Sequence, residues 1–157
     1  MNFQLWLAQG FGSGRVPFGP GTWGSLVGLL WFAVLLGFRS PVAFCIGIVL
    51  SILVSVWACG GAETILGQKD PGSVVLDEII AVPLCFGAWL GAIYFQKGFW
   101  PAPDYFFSNS KWPMTIAVFV LFRIADIAKP WPVYQSQFLP RGWGVTMDDV
   151  VAALRLA

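Results

Sequence analysis

The sequence has 157 residues, 57% apolar and 11% charged, with a net charge of +1, a mean hydropathy of +0.73 and no histidine. A soluble domain carries about 25% charged residues, so this chain lacks the polar surface to cover a core in water; it also has no basic run, which argues against a nucleic-acid partner. The missing histidine excludes Ser-His-Asp triads, phosphohistidine intermediates and His-ligated zinc.

The length predicts one domain, residues 1–157. Met1 to Gly14 has no basic start, and a Pro17 to Gly21 run follows, so the opening does not read as a signal peptide. The loop GFGSGRVPFGPGTWGS, Gly10 to Ser25, comes next. Its glycines let backbone approach a ligand, and free amides at a helix start attract phosphate. Arg15 is a candidate phosphate ligand, and Thr22 is placed to cap the helix that follows. The GxGxG fragment follows no strand, and GK[ST] is lacking, so Rossmann and P-loop readings fail. A plain structural turn entering a membrane fits the same composition.

Gly24–Phe38 is apolar and charge-free, though short for a span, and Val42–Cys59 has the length to cross a bilayer. Cys45, Cys59 and Cys85 lie in apolar stretches without CxxC spacing and read as small buried residues. The segment DPGSVVLDE brings Asp70, then Asp77 and Glu78, to the start of another apolar stretch, Ile79–Phe95, with Pro83 inside it. Helix-dipole stabilisation accounts for acids at that place. Burying two adjacent acids is otherwise costly, and a divalent cation offsets their repulsion; oxygen-only ligands suit Mg²⁺.

Pro113–Phe122 is apolar, and its helix is expected to run on to Ala128. Arg123, Asp126 and Lys129 then recur at i, i+3 and i+6 near one face, as an ion-pair set or as a metal and phosphate set. Pro130 ends that segment. The last stretch, Thr146–Ala157, is predicted helical, with Asp148 and Asp149 in its first turn and a capping-box-like Thr146–Asp149 pair. Strand-like alternation is missing between these segments. The expected fold is an all-α, multi-span integral membrane helical bundle of three to five apolar helices. An unusually apolar soluble bundle is the plainer alternative.

If the segments cross alternately from an inside N-terminus, Arg15, Lys69, Arg123, Lys129, Arg141 and Arg155 fall inside, and Arg39, Lys97 and Lys111 outside. The acids are more lopsided. Glu63, Asp70, Asp77, Glu78, Asp126, Asp148 and Asp149 gather inside, with Asp104 alone outside. One polar site at one membrane face is the expectation. Asp77, Glu78, Asp126, Asp148 and Asp149 are its candidate metal ligands, and metal-assisted attack of water on a phosphomonoester is its candidate chemistry.

The blocks GFGSGRVPFGPGTWGSL, DPGSVVLDE, FRIADIAKPWP and GWGVTMDDVVA resemble, in that order, the signature blocks of the phosphatidylglycerophosphatase A family over about Gly10 to Ala153. The resemblance implies a Mg²⁺-dependent, multi-pass hydrolase of the bacterial inner membrane, its site facing the cytoplasm. Such an enzyme takes the terminal phosphate from the phospholipid phosphatidylglycerophosphate. Carried over residue by residue, it points to Asp70, Asp77, Glu78, Arg123, Asp126, Lys129, Asp148 and Asp149, with Arg15. From charge chemistry, Asp77, Arg123, Asp126, Lys129 and Asp149 are the expected catalytic groups, and Arg15, Arg123, Lys129 and Asp70 surround the phosphate. Many relatives have histidine near the position of Asp70, where this chain has Gln68-Lys69-Asp70-Pro71. Relatives also commonly continue beyond the Asp148-Asp149 block into another apolar helix. A small channel or assembly subunit is the rival reading. A transferase acting on an activated lipid lacks its DGxxAR…GxxxDxxxD array here.

Overall fold

The computed structural model describes residues 2–128, 133–136, 139–140 and 142–157. Its helices are α1 (Phe3–Ala8), α2 (Pro20–Gly37), α3 (Pro41–Leu66), α4 (Leu76–Ala81), α5 (Gly87–Lys97), α6 (Pro103–Phe107), α7 (Trp112–Ala128), α8 (Val133–Ser136) and α9 (Gly142–Leu156). Two 3₁₀ turns join them, Gly10–Arg15 after α1 and Val82–Phe86 between α4 and α5. The described residues contain no strand, as the absence of period-2 patterning requires.

Local chemistry sets the helix ends. Gly19, at φ 59, turns the chain into α2, and its carbonyl accepts from the amides of Thr22 (2.9 Å) and Trp23 (3.2 Å), with Pro20 in the first helical position. Thr22 therefore lies inside the helix and does not cap it. The early start lengthens the short apolar segment to 18 residues. Ser40 caps α3 through Ala43 N at 3.3 Å, and Gly67, at φ 63, closes it. Pro83 supplies no amide, and the chain tightens to 3₁₀ geometry around it. α9 begins at Gly142, so Asp148 and Asp149 lie one turn further in than the sequence suggests. Thr146 makes no cap. Its hydroxyl shares a hydrogen bond with Ser55 on α3, 3.0 Å away in the core.

Pro20–Gly37, Pro41–Leu66 and Leu76–Lys97 are long and apolar enough to cross a membrane. α2 and α3 turn Leu30, Val34, Ile46, Val49 and Leu53 outward, each more than half exposed. A soluble bundle would bury such a face; a bilayer covers it. Small residues bring the helices close. A Cβ on Gly142 would strike the backbone of Val56 and Gly60, and one on Gly28 would come within 2.8 Å of Val82. At the far end from the acids, Phe32 stacks on Phe86 at 4.2 Å with Phe106 edge-on to both. Ala58, Ala62, Val75, Ile79, Val145 and Val150 form a second core under the acidic end.

Candidate active site

The site begins with the tie between α1 and α4. Val75 N donates to Ala8 O at 3.0 Å, which sets the start of α4 beside the Gly10–Arg15 turn. A Cβ on Gly14 would meet the Ser73 carbonyl, so only glycine permits this approach. α4 then carries Asp77 and Glu78 in its first turn. Asp77 Oδ1 accepts from Glu78 N, and on α9 Asp148 Oδ1 accepts from Asp149 N, both at 3.0 Å.

α7 supplies the cation. Arg123 Nη1 donates to Asp126 Oδ2 at 2.5 Å, to Ser25 Oγ on α2 at 3.3 Å and to Glu78 Oε1 at 3.4 Å. α2 makes room by lacking side chains. A Cβ on Gly21 would land on the Glu78 carboxylate and 3.0 Å from Arg123 Nη2, and one on Gly24 would lie 3.1 Å from Glu78 Oε2. Gly21, Gly24, Ser25 and Gly28 share a helix face at i, i+3, i+4 and i+7. Read in sequence, Gly21 falls in the Gly10–Ser25 loop and Gly28 in the apolar Gly24–Phe38 segment, and Ser25 carries no role; the i, i+3, i+4, i+7 spacing is the signal for this face.

The electrostatics are severe. Asp77, Asp126, Asp148 and Asp149 are 5%, 8%, 3% and 4% exposed. Asp149 feels Asp77, Asp126, Glu78 and Asp148, while Glu78 feels Arg123, Asp126 and Asp70. Burial first, and then its acidic neighbours, push the Asp149 carboxyl well above the usual carboxylate range. Glu78 Oε2 and Arg123 Nε are buried without a hydrogen-bond partner. Five carboxylates on α4, α7 and α9 thus feel one another, and one described guanidinium pairs with two of them, a surplus that calls for protons or a cation.

The oxygen-only donors and the orphaned Glu78 Oε2 fit Mg²⁺ chemically. Among the described residues no three acids or thiols already stand as a metal cage, and side chains would have to turn to close on an ion. Asp70 lies at the rim, exposed and at φ 49, with its amide donating to Glu63 Oε1 at 3.2 Å and its charge felt by Asp77 and Glu78. Arg15 is also exposed; its Nε donates to Gln9 Oε1 at 2.7 Å, and Gln9 donates to Ser73 Oγ at 3.3 Å. Arg15 is thereby tied to the Asp70–Ser73 turn. Lys129 lies outside the described residues.

The family profile for phosphatidylglycerophosphatase A matches residues 6–157. The chain belongs to the phosphatidylglycerophosphatase A family. It is 34% identical to phosphatidylglycerophosphatase A of Haemophilus influenzae, over 94% of this chain and 80% of that one. It is likewise 34% identical to phosphatidylglycerophosphatase A of Escherichia coli, over 94% and 76%. A Bacteroides thetaiotaomicron protein, provisionally described as a phosphatidylinositol-3-phosphatase, is 36% identical over 94% and 85%. No solved structure matches. The family is named for a phosphatase, and the match takes in every acid of the cluster.

Proposed function

We propose that this chain hydrolyses phosphatidylglycerophosphate to phosphatidylglycerol and inorganic phosphate in a Mg²⁺-dependent reaction, with its site at the cytoplasmic face of a bacterial inner membrane. The observation that carries the reading is the gathering of Asp77, Glu78, Asp126, Asp148 and Asp149 from three helices, with Arg123 paired to Glu78 and Asp126. The two relatives named phosphatidylglycerophosphatase A support the headgroup. The orientation rests on Arg15, Lys69, Arg123 and Arg155 falling on the inner side of the alternating crossings.

In this reading the five carboxylates would hold Mg²⁺, which would supply Lewis acidity to the phosphate when bound. Arg123, with Lys129 and Arg15, binds the phosphate oxygens, and Arg123 does so as a planar fork. Asp70 orders the rim through which the headgroup enters. Asp149, buried beside Asp77, Asp126, Glu78 and Asp148, takes a proton from the attacking water in its ionised form. The water oxygen bonds to phosphorus, the bond from phosphorus to the glycerol oxygen breaks, and the proton taken up by Asp149 passes to that leaving oxygen. Helices that bury no carboxylate on their outer faces keep the acyl chains in lipid while the headgroup reaches the acids.

Phosphate release from phosphatidylglycerophosphate in mixed micelles tests this. Release that stops in EDTA and returns with Mg²⁺ is expected, at a rate above that on phosphatidylinositol 3-phosphate. Release indifferent to chelation overturns the metal assignment. Release from neither lipid overturns the phosphatase reading and favours a non-enzymatic membrane protein.

A further inference from the structure

We propose that Ser25 is a positioning residue, holding the Arg123 guanidinium in the orientation that receives the substrate phosphate; this rests on the reading of Arg123 as a phosphate ligand. Ser25 is fully buried, one turn inside α2. Its hydroxyl donates to Gly21 O at 2.8 Å, so its proton is committed and its lone pairs turn to Arg123 Nη1 at 3.3 Å. The other two acceptors on that nitrogen, Glu78 and Asp126, are carboxylates assigned to the cation. With those two carboxylates engaged by a cation, Ser25 would be the acceptor that still fixes Nη1.

A neutral acceptor orients the guanidinium without neutralising it, whereas a further carboxylate would compete with phosphate for its charge. Fixing Nη1 leaves the rest of the fork for the ligand. Arg123 Nε is buried with no partner, and Nη2 lies beside Gly21, where the missing side chain makes room for the guanidinium and the Glu78 carboxylate together. Ser25 touches neither reacting atom. It sets the angle at which the fork meets phosphate.

The test uses the full chain in detergent micelles, with phosphatidylglycerophosphate as substrate and inorganic phosphate as inhibitor. Ser25→Ala is expected to lower kcat/KM and weaken inhibition by phosphate, each about tenfold, the scale of one hydrogen bond to a charged group. In an Arg123→Lys background the same change should cost less than about twofold, because the fork it positions is gone. Unchanged kinetics in Ser25→Ala, or an equal loss in both backgrounds, overturns the proposal. Where Ser25→Ala does not fold, Ser25→Thr and Ser25→Val replace it, since they share a shape and differ in the acceptor. The Thr variant should then be about tenfold the more active, and equal activities at any level overturn the proposal. Full activity in Arg123→Ala removes the phosphate-ligand reading itself, a result distinct from a silent Ser25→Ala.

Discussion

Arg123 and Glu78, 45 residues apart in sequence, meet with Nη1 3.4 Å from Oε1, and each side chain is 15% exposed. The contact joins the C-terminal half of α7 to the start of α4 and passes the Gly21–Gly24 face of α2. Arg123 is thus the counterion of an acidic cluster and the one described cation inside it.

Arg123→Ala should therefore damage both stability and activity. Removing one partner of a buried pair costs about 3 kcal/mol, because the remaining charges lose their counterion. Phosphate release should fall by about 10² or more, the usual cost of losing a charged group at a transferring phosphoryl. Thermal melting and the lipid-phosphate assay measure the two effects separately. Arg123→Lys should recover part of the stability and little of the activity, since a point charge does not replace a fork.

Asp149 gives the pH dependence its sign. Its folded carboxyl is held above its unfolded value of about 3.9 by burial and by Asp77, Asp126, Glu78 and Asp148. Such a group favours the fold fully below the unfolded value, and that contribution is lost as pH rises through the folded one. Metal-free protein should lose melting temperature from about pH 4 upward. Asp149→Asn should flatten that slope while abolishing turnover. Melting curves in EDTA from acid to neutral pH decide it; parallel slopes would count against the assignment.

Gly21 and Gly91 should respond in opposite ways to alanine. A Cβ on Gly21 lands on the Glu78 carboxylate, so Gly21→Ala should cost about 1–3 kcal/mol and displace an acid of the site. Gly91, in α5, has nothing within 4 Å of its added Cβ. Gly91→Ala should gain about 0.5–1 kcal/mol from helix propensity and leave activity unchanged. Denaturation of the two variants against the parent checks both signs.

Much of this was legible in the sequence, for identifiable reasons. Apolar runs without period-2 alternation imply helices, and counting their crossings puts Asp77, Asp126 and Asp148 at one end whatever the packing. Helix starts were less legible. Gly19 and Gly142 look like loop residues, but the first turns the chain into α2 and the second opens α9 against α3. Thr146 matches a cap by type and spacing, yet tertiary packing gives it Ser55 as partner. How near the acids stand depends on side-chain rotation, which no spacing encodes.

In the proposed reading, buried acids from α4, α7 and α9 share a hard cation. The direct measurement is binding of Mn²⁺, a paramagnetic stand-in for Mg²⁺, to the purified protein by electron paramagnetic resonance, beside Asp77→Asn, Asp126→Asn and Asp148→Asn. Saturable binding by the parent, weakened about tenfold or more in each variant, is the expected result. Equal binding in all four proteins, or none in the parent, would contradict it.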